Sequence, residues 1–183
     1  MTSHWKTLAR RTILDQRPYL AVEQHTVELP DGTQIADWPW VITPDYVNVL
    51  AMIPDGRFLC FRQGKYAYEG EALAPVGGYI EPGEQPLAAA QRELFEETGY
   101  QASEWIALGA YAVCANRGVA TAYPFLALRA MPVAAPNADD LEEQTLVLLE
   151  RAELEAALAQ GEFRVLSWTA TVALALRWLE RRP

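Results

Sequence analysis

The sequence predicts an α/β sandwich built on a mixed β-sheet and preceded by a small N-terminal antiparallel β region. Three observations carry this. Short apolar runs punctuated by Pro-Asp-Gly turns fill the stretch ahead of Gly78. A single capped helix pattern follows, and two further helix patterns close the chain after more strands. With 183 residues and 51% hydrophobic composition, there is material for one well-cored domain with a small appendage. Residues 1–42 are assigned to the N-terminal β region and 43–183 to the main domain.

In order along the chain, Thr12–Leu14, Leu20–His25 and Thr26–Leu29 read as short strands, and Pro30-Asp31-Gly32-Thr33 as a turn. Gln34–Ile42 leads into Tyr46–Ile53 (YVNVLAMI), which reads as a buried strand. Pro54-Asp55-Gly56 then turns the chain into Arg57–Gln63, making a hairpin. Beyond the central helix, Trp105–Val113, Ala120–Arg129 and Gln144–Leu149 read as strands. Arg151–Gln160 is a helix closed by Gly161. Ser167 is placed as the cap of a last helix running to Arg181, with Val172, Leu174, Ala175, Leu176 and Leu179 on its apolar side. Met131–Asp140, rich in Pro, Ala and Asp, is the flexible segment.

The central helix carries the chemistry. Pro86 suits a first helical turn, where its missing N–H would have no partner, and Gly99 stands where a left-handed cap belongs. A helix over Pro86–Thr98 follows, with Leu87, Ala90, Leu94 and Thr98 toward a core. At about 100° per residue, Glu93 and Glu97 share a face with Glu96 beside them. Three carboxylates near the negative end of a helix dipole repel one another, so a cation belongs among them. All-oxygen clusters suit hard divalent ions, and Mg²⁺ favours one or two carboxylates with phosphate and water. Arg92 neutralises part of the cluster, and Glu84 is spaced to curl back and accept from it. A solvated acidic face is the plain alternative; the Val76-Gly77-Gly78 turn and the Glu84 spacing favour a metal site.

Composition excludes other classes. Net charge is −9 and no basic cluster exists, which argues against binding a nucleic-acid backbone through Lys and Arg. No run approaches the roughly 20 apolar residues that cross a bilayer, and the opening MTSHWKTLARR has no apolar signal core. Cys60 and Cys114 lie in separate apolar runs, as expected of buried free thiols in a reducing cytoplasm.

From Gly78 to Tyr100 the chain fits G-x5-E-x7-R-E-U-x-E-E-x-G-U, with U a bulky apolar residue. Seven fixed matches have a chance probability of roughly 10⁻⁸ per start point, far too small for coincidence. The run resembles the Nudix box of the Nudix pyrophosphohydrolases, whose fold is an α/β/α sandwich with a mixed sheet. Four further places are similar to the ADP-ribose pyrophosphatase branch: Val27–Gly32, Arg62-Gln63-Gly64-Lys65-Tyr66, Ala74-Pro75-Val76-Gly77-Gly78, and the acidic loop Asp140-Leu141-Glu142-Glu143-Gln144. Three places depart from that branch. Lys65 stands for an Arg, Ala74 for a Glu, and Ala115-Asn116-Arg117-Gly118 for a Pro-bearing loop that helps select the sugar half.

The resemblance implies a homodimeric, Mg²⁺- or Mn²⁺-dependent enzyme that splits ADP-ribose into AMP and ribose 5-phosphate. It makes Glu93, Glu96, Glu97 and the Gly77 carbonyl the metal ligands, with Gly78, Glu84 and Arg92 supporting the box. It offers Glu143 or Glu142, Glu143 being preferred, as proton acceptor or a third metal contact, and Lys65 and Arg117 as phosphate contacts. Alignment on Gly32 places Tyr19 and Trp38 near the aromatic positions that sandwich the base between two copies, with Trp40 as a substitute. The alternatives are another nucleoside diphosphate derivative (a GDP-sugar, NADH or a dinucleotide polyphosphate), a non-catalytic metabolite sensor, or an acidic interaction module. A sensor commonly loses box glutamates, and this chain keeps them all.

Overall fold

The computed structural model describes residues 4–136 and 143–181. In chain order the strands are β1 (Lys6–Gln16), β2 (Leu20–Glu28), β3 (Gln34–Ile42), β4 (Tyr46–Met52), β5 (Phe58–Gly64), β6 (Glu71–Ala74) and β7 (Val76–Tyr79). Helix α1 (Pro86–Thr98) comes next, then β8 (Tyr100–Gln101), β9 (Glu104–Ala107), β10 (Tyr111–Cys114), β11 (Gly118–Leu128), β12 (Met131–Pro132) and β13 (Gln144–Leu149). Helices α2 (Arg151–Ala159) and α3 (Leu166–Glu180) end the chain.

Two compact units result, one of residues up to Asp45 with Tyr111–Thr121, the other of Tyr46–Ala110 with the chain from Ala122 onward. In the first, β1, β2 and β3 form an antiparallel ribbon. The first residues of β11 lie parallel to the end of β3, Gly118 opposite Val41 and Val119 opposite Ile42. The three short strands expected before Leu29 are in fact two long ones, joined through Arg17-Pro18-Tyr19.

In the second unit, β11 from Ala122 runs parallel to β4, while β5 and β7 pair antiparallel with β4. β6 and β13 both pair antiparallel with β5, and β9 with β11. The sheet is therefore mixed and is covered on both sides. Val47, Val49 and Ala51 of β4 pack with Ala89, Ala90 and Leu94 of α1. Leu50 faces the other way, with Leu154 and Ala157 of α2 and Val172, Ala175 and Leu176 of α3. Burial on both faces explains why β4 is apolar at nearly every position, Asn48 apart, rather than alternating. The predicted α/β/α sandwich is the observed architecture.

Helix α1 has the expected bounds, with Pro86 in its first turn and Gly99 in the left-handed conformation at φ 73°. Its buried face is Ala89, Ala90, Leu94 and Thr98, and Leu87, expected inside, is largely exposed. Ser167 does not cap α3. The helix begins two residues earlier than such a cap would allow, at Leu166, its N-cap is Val165, and the Val165 carbonyl accepts from the Trp168 and Thr169 amides. The strand expected over Trp105–Val113 is broken into β9 and β10 at Gly109, whose φ of 129° no strand accommodates. Cys60 is buried, and burial pushes its thiol up to about 12; Cys114 is only half-buried. Among the described residues no helix is long and apolar enough to cross a membrane.

Candidate active site

The β4–β7 register builds the site. Asn48 stands opposite Gly77 and Val47 opposite Gly78, so the two glycines lie flat against the first half of β4. At Gly77 a Cβ would stand 2.5 Å from the Val47 carbonyl oxygen, a separation no side chain tolerates. At Gly78 a Cβ would fall 2.2–2.5 Å from the Glu93 carboxylate, so that carboxylate lies directly on the bare glycine backbone. Glu97, one turn further along α1, reaches the same segment and accepts from the Gly77 amide at 3.3 Å.

Arg92 organises the other side of the cluster. Its Nε and Nη2 donate to the two oxygens of Glu84, both at 3.0 Å, and Nη2 also donates to the Tyr79 carbonyl at 2.9 Å. Nη1 donates to Glu93 Oε1 at 2.8 Å and to Glu96 Oε2 at 3.1 Å. Glu84 is fixed in turn, because Glu81 N donates to its Oε2 at 3.0 Å and its own amide donates to the Glu81 carbonyl at 2.9 Å. Hydrogen bonds from Arg92 hold the Glu84 carboxyl below the usual range, and the guanidinium is raised, first by Glu84 and then by Glu93 and Glu96. The fork locks the loop before α1 onto the helix.

The donor set suits a hard divalent ion: three carboxylates on one helix end and a glycine segment close enough to offer its carbonyl. Asn48 adds to it. Buried at 5% exposure beside Gly77, it is the residue whose side-chain acceptor, Oδ1, meets no donor among the described residues. Its neighbours across the sheet, Gly77 and Pro124, bring no side-chain donor. In the present arrangement the carboxylates are turned toward Arg92 and the Gly77 amide, and no three acidic, His or Cys groups among the described residues converge on one point. Holding an ion would therefore require these side chains to rotate.

Glu143 is exposed and immediately precedes β13. Gln144 pairs with Gln63, at the end of the sheet where β4 carries Val47 and Asn48, so Glu143 shares that end with Gly77 and Gly78. Glu142 lies outside the described residues. Lys65 is half-buried in the turn after β5, its carbonyl accepting from the Tyr68 amide at 3.2 Å.

The remaining candidates belong to the N-terminal unit. Trp38 stands opposite His25, whereas Tyr19 precedes Leu20 at the far end of β2, six residues or roughly 20 Å along the strand. One copy of the chain does not bring them together. Trp38 instead meets Trp5 edge-on at 4.9 Å, donates from Nε1 to the Asn116 carbonyl at 2.9 Å, and lies under the Arg117 guanidinium at 4.6 Å. His25 stacks on Trp40 at 5.4 Å. Trp5, His25, Trp38 and Trp40 border a cavity of about 600 Å³ that also reaches Arg10 and Asn116. Gly118 backs onto Trp40, where a Cβ would stand 2.5 Å from the indole. Sequence reading missed Asn48, the Tyr79 carbonyl and Trp5, because each owes its place to strand register rather than to local pattern.

Comparison with known proteins identifies the family. Residues 42–170 match the NUDIX domain, and residues 5–41 match the nucleoside diphosphate sugar hydrolase N-terminal domain. An ADP-ribose pyrophosphatase of Bacillus subtilis (strain 168) is 30% identical over 176 residues, covering 96% of this chain and 92% of its own. A methanol dehydrogenase activator of Bacillus methanolicus is 32% identical over 103 residues, 55% of each chain. The crystal structure of an ADP compounds hydrolase superposes with a TM-score of 0.80, covering 97% of this chain and 95% of that one at 21% identity, which is a likeness of fold. With its glutamate-bearing helix packed on a Gly-Gly strand inside the matched segment, the chain belongs to the Nudix family of pyrophosphohydrolases.

Proposed function

We propose that the protein hydrolyses the diphosphate of ADP-ribose to AMP and ribose 5-phosphate, using Mg²⁺ or Mn²⁺. The observation that carries this is the meeting of Glu93 and Glu97 with the Gly77–Gly78 strand, in a chain similar over nearly its whole length to an ADP-ribose pyrophosphatase. Glu93, Glu96, Glu97 and the Gly77 carbonyl hold the ion. Once bound, it neutralises diphosphate charge and lowers the pKa of water for in-line attack. Glu84 and Arg92 keep the box loop and helix in fixed relation, and Lys65 contacts phosphate as a compact cation.

Glu143 takes the proton of the attacking water. Glu143→Gln is expected to lower kcat by about 10²–10⁴ with KM little changed. A loss below fivefold removes Glu143 from that role and leaves Glu142 as the acidic-loop candidate.

Residues 1–42 serve base binding and dimerisation, and 43–183 serve hydrolysis. Trp38, with Arg117 over its face, offers a flat surface for adenine, and Tyr19 completes it from a second copy, since one copy keeps the two apart. The exposed strand β1, carrying Leu8 and Ile13 outward, is the surface for that homodimer. A reducing cytoplasm suits the two free thiols.

A second reading, hydrolysis of another nucleoside diphosphate derivative, is favoured by the Asn116-Arg117-Gly118 loop in place of the Pro-bearing segment. One experiment separates them: chromatographic product analysis with Mg²⁺ on ADP-ribose, GDP-mannose, NADH and a diadenosine polyphosphate. AMP released fastest from ADP-ribose supports the first reading. A faster GDP-sugar or dinucleotide keeps the chemistry and replaces the substrate. No cleavage of any of them points to a metabolite sensor.

A further inference from the structure

The guanidinium of Arg92 makes five hydrogen bonds, and they divide into two sets with different partners. Nε and Nη2 bind groups that lie off the helix, the Glu84 carboxylate and the Tyr79 carbonyl. Nη1 binds two helix carboxylates, Glu93 and Glu96, and these are two of the three proposed ion ligands. Glu93 is only 13% exposed at its side chain and rests on Gly78, so it has little solvent to screen it. The positive charge on Nη1 thus sits on one oxygen of each of two carboxylates that a divalent ion would use. Two cations drawn to the same pair of carboxylates repel each other, most strongly at Glu93, the more sheltered of the two.

We propose that Arg92 is a displaceable internal cation: Nη1 holds Glu93 and Glu96 together in the metal-free protein and gives them up when an ion binds, while Glu84 and Tyr79 retain the other edge of the guanidinium. The reading rests on the proposed hydrolase function and adds to it a residue that sets metal affinity. Two consequences follow from the geometry. The metal-free helix avoids the repulsion of bare neighbouring carboxylates, so the fold does not depend on loading. Metal affinity is also lower than the same carboxylates would give alone, since part of the ion's attraction is spent on breaking two hydrogen bonds. Arg92 is a positioning residue in this scheme and touches no reacting atom.

The test is a Mg²⁺ titration followed by melting temperature, on the full chain, for the wild type, Arg92→Gln and Arg92→Lys. Arg92→Gln is expected to melt lower without metal yet to reach its half-maximal shift at about tenfold lower Mg²⁺, within the range of ordinary coupling between sites. Arg92→Lys keeps the charge but loses the fork, and is expected to fall between the two. A midpoint for Arg92→Gln that is unchanged or higher overturns the proposal, since a residue that only supports the ligands would weaken binding when removed.

A second measurement stands even if the variants do not fold. In ¹⁵N-labelled wild type, Mg²⁺ should speed hydrogen exchange at Nη1 of Arg92 while Nε–H stays protected. Metal binding with both groups equally protected overturns this proposal alone. Wild-type protein that binds no divalent ion overturns the hydrolase reading with it.

Discussion

Glu97→Gln is expected to lower Mg²⁺-dependent turnover by about 10³ with the melting temperature nearly unchanged. The change keeps side-chain shape and an amide oxygen that can still accept from the Gly77 amide, now 3.3 Å from Glu97 Oε2. What disappears is one negative charge at the helix end nearest the glycine strand. Divalent-ion chemistry on a phosphate contributes several kcal/mol of transition-state stabilisation, and each 1.4 kcal/mol or so is tenfold in rate, so about 10³ is the expected scale for losing a ligand. Relief of repulsion against Glu93 offsets part of the lost electrostatics in the metal-free protein and holds stability level. Parallel measurement of kcat and thermal melting checks both halves. A variant that retains more than a fifth of wild-type turnover would remove Glu97 from the ligand set.

How much of this was legible in the sequence depends on how local each signal is. Helix α1 was readable to the residue because Pro86 and Gly99 act on their own backbone, and the spacing of Glu93, Glu96 and Glu97 follows from helical pitch alone. The β4–β5 hairpin was readable because Asp55-Gly56 dictates its turn. Strands β6 and β7 were not. Glu71-Ala72-Leu73-Ala74 has little strand preference of its own, and Val76-Gly77-Gly78-Tyr79 looks like a turn. Both become strands because β5 and β4 offer them unpaired backbone, a contact between distant residues. The same distance hid the contributions of Asn48 and the Tyr79 carbonyl to the site. Ser167 carried the chemistry of a cap, but tertiary contacts of the preceding segment chose Val165. There the Arg164 guanidinium donates to the Glu69 carbonyl and lies over the Tyr68 ring.

The two glycines of the site should respond to the same substitution in opposite ways, and this separates their roles. Gly78→Ala is expected to fold and to lose activity. Its Cβ would press on the Glu93 carboxylate, the free end of a flexible side chain that can swing aside. Swinging aside moves a proposed ion ligand by about an ångström and disturbs Nη1 of Arg92, and misplacement on that scale costs about 10²-fold in rate. Melting should fall only slightly. Gly77→Ala meets backbone instead, since its Cβ would stand 2.5 Å from the Val47 carbonyl oxygen within the β4–β7 pairing. Nothing there rotates away, and the strand itself must shift, with a loss of stability of roughly 1–3 kcal/mol expected from overpacking in a buried sheet. The two variants should therefore split: Gly78→Ala near wild type in melting temperature but poor in kcat, Gly77→Ala lowered in both. Equal melting temperatures for the two would show that the Val47 contact is softer than its geometry, and full activity in Gly78→Ala would show that Glu93 need not rest on the strand to do its work.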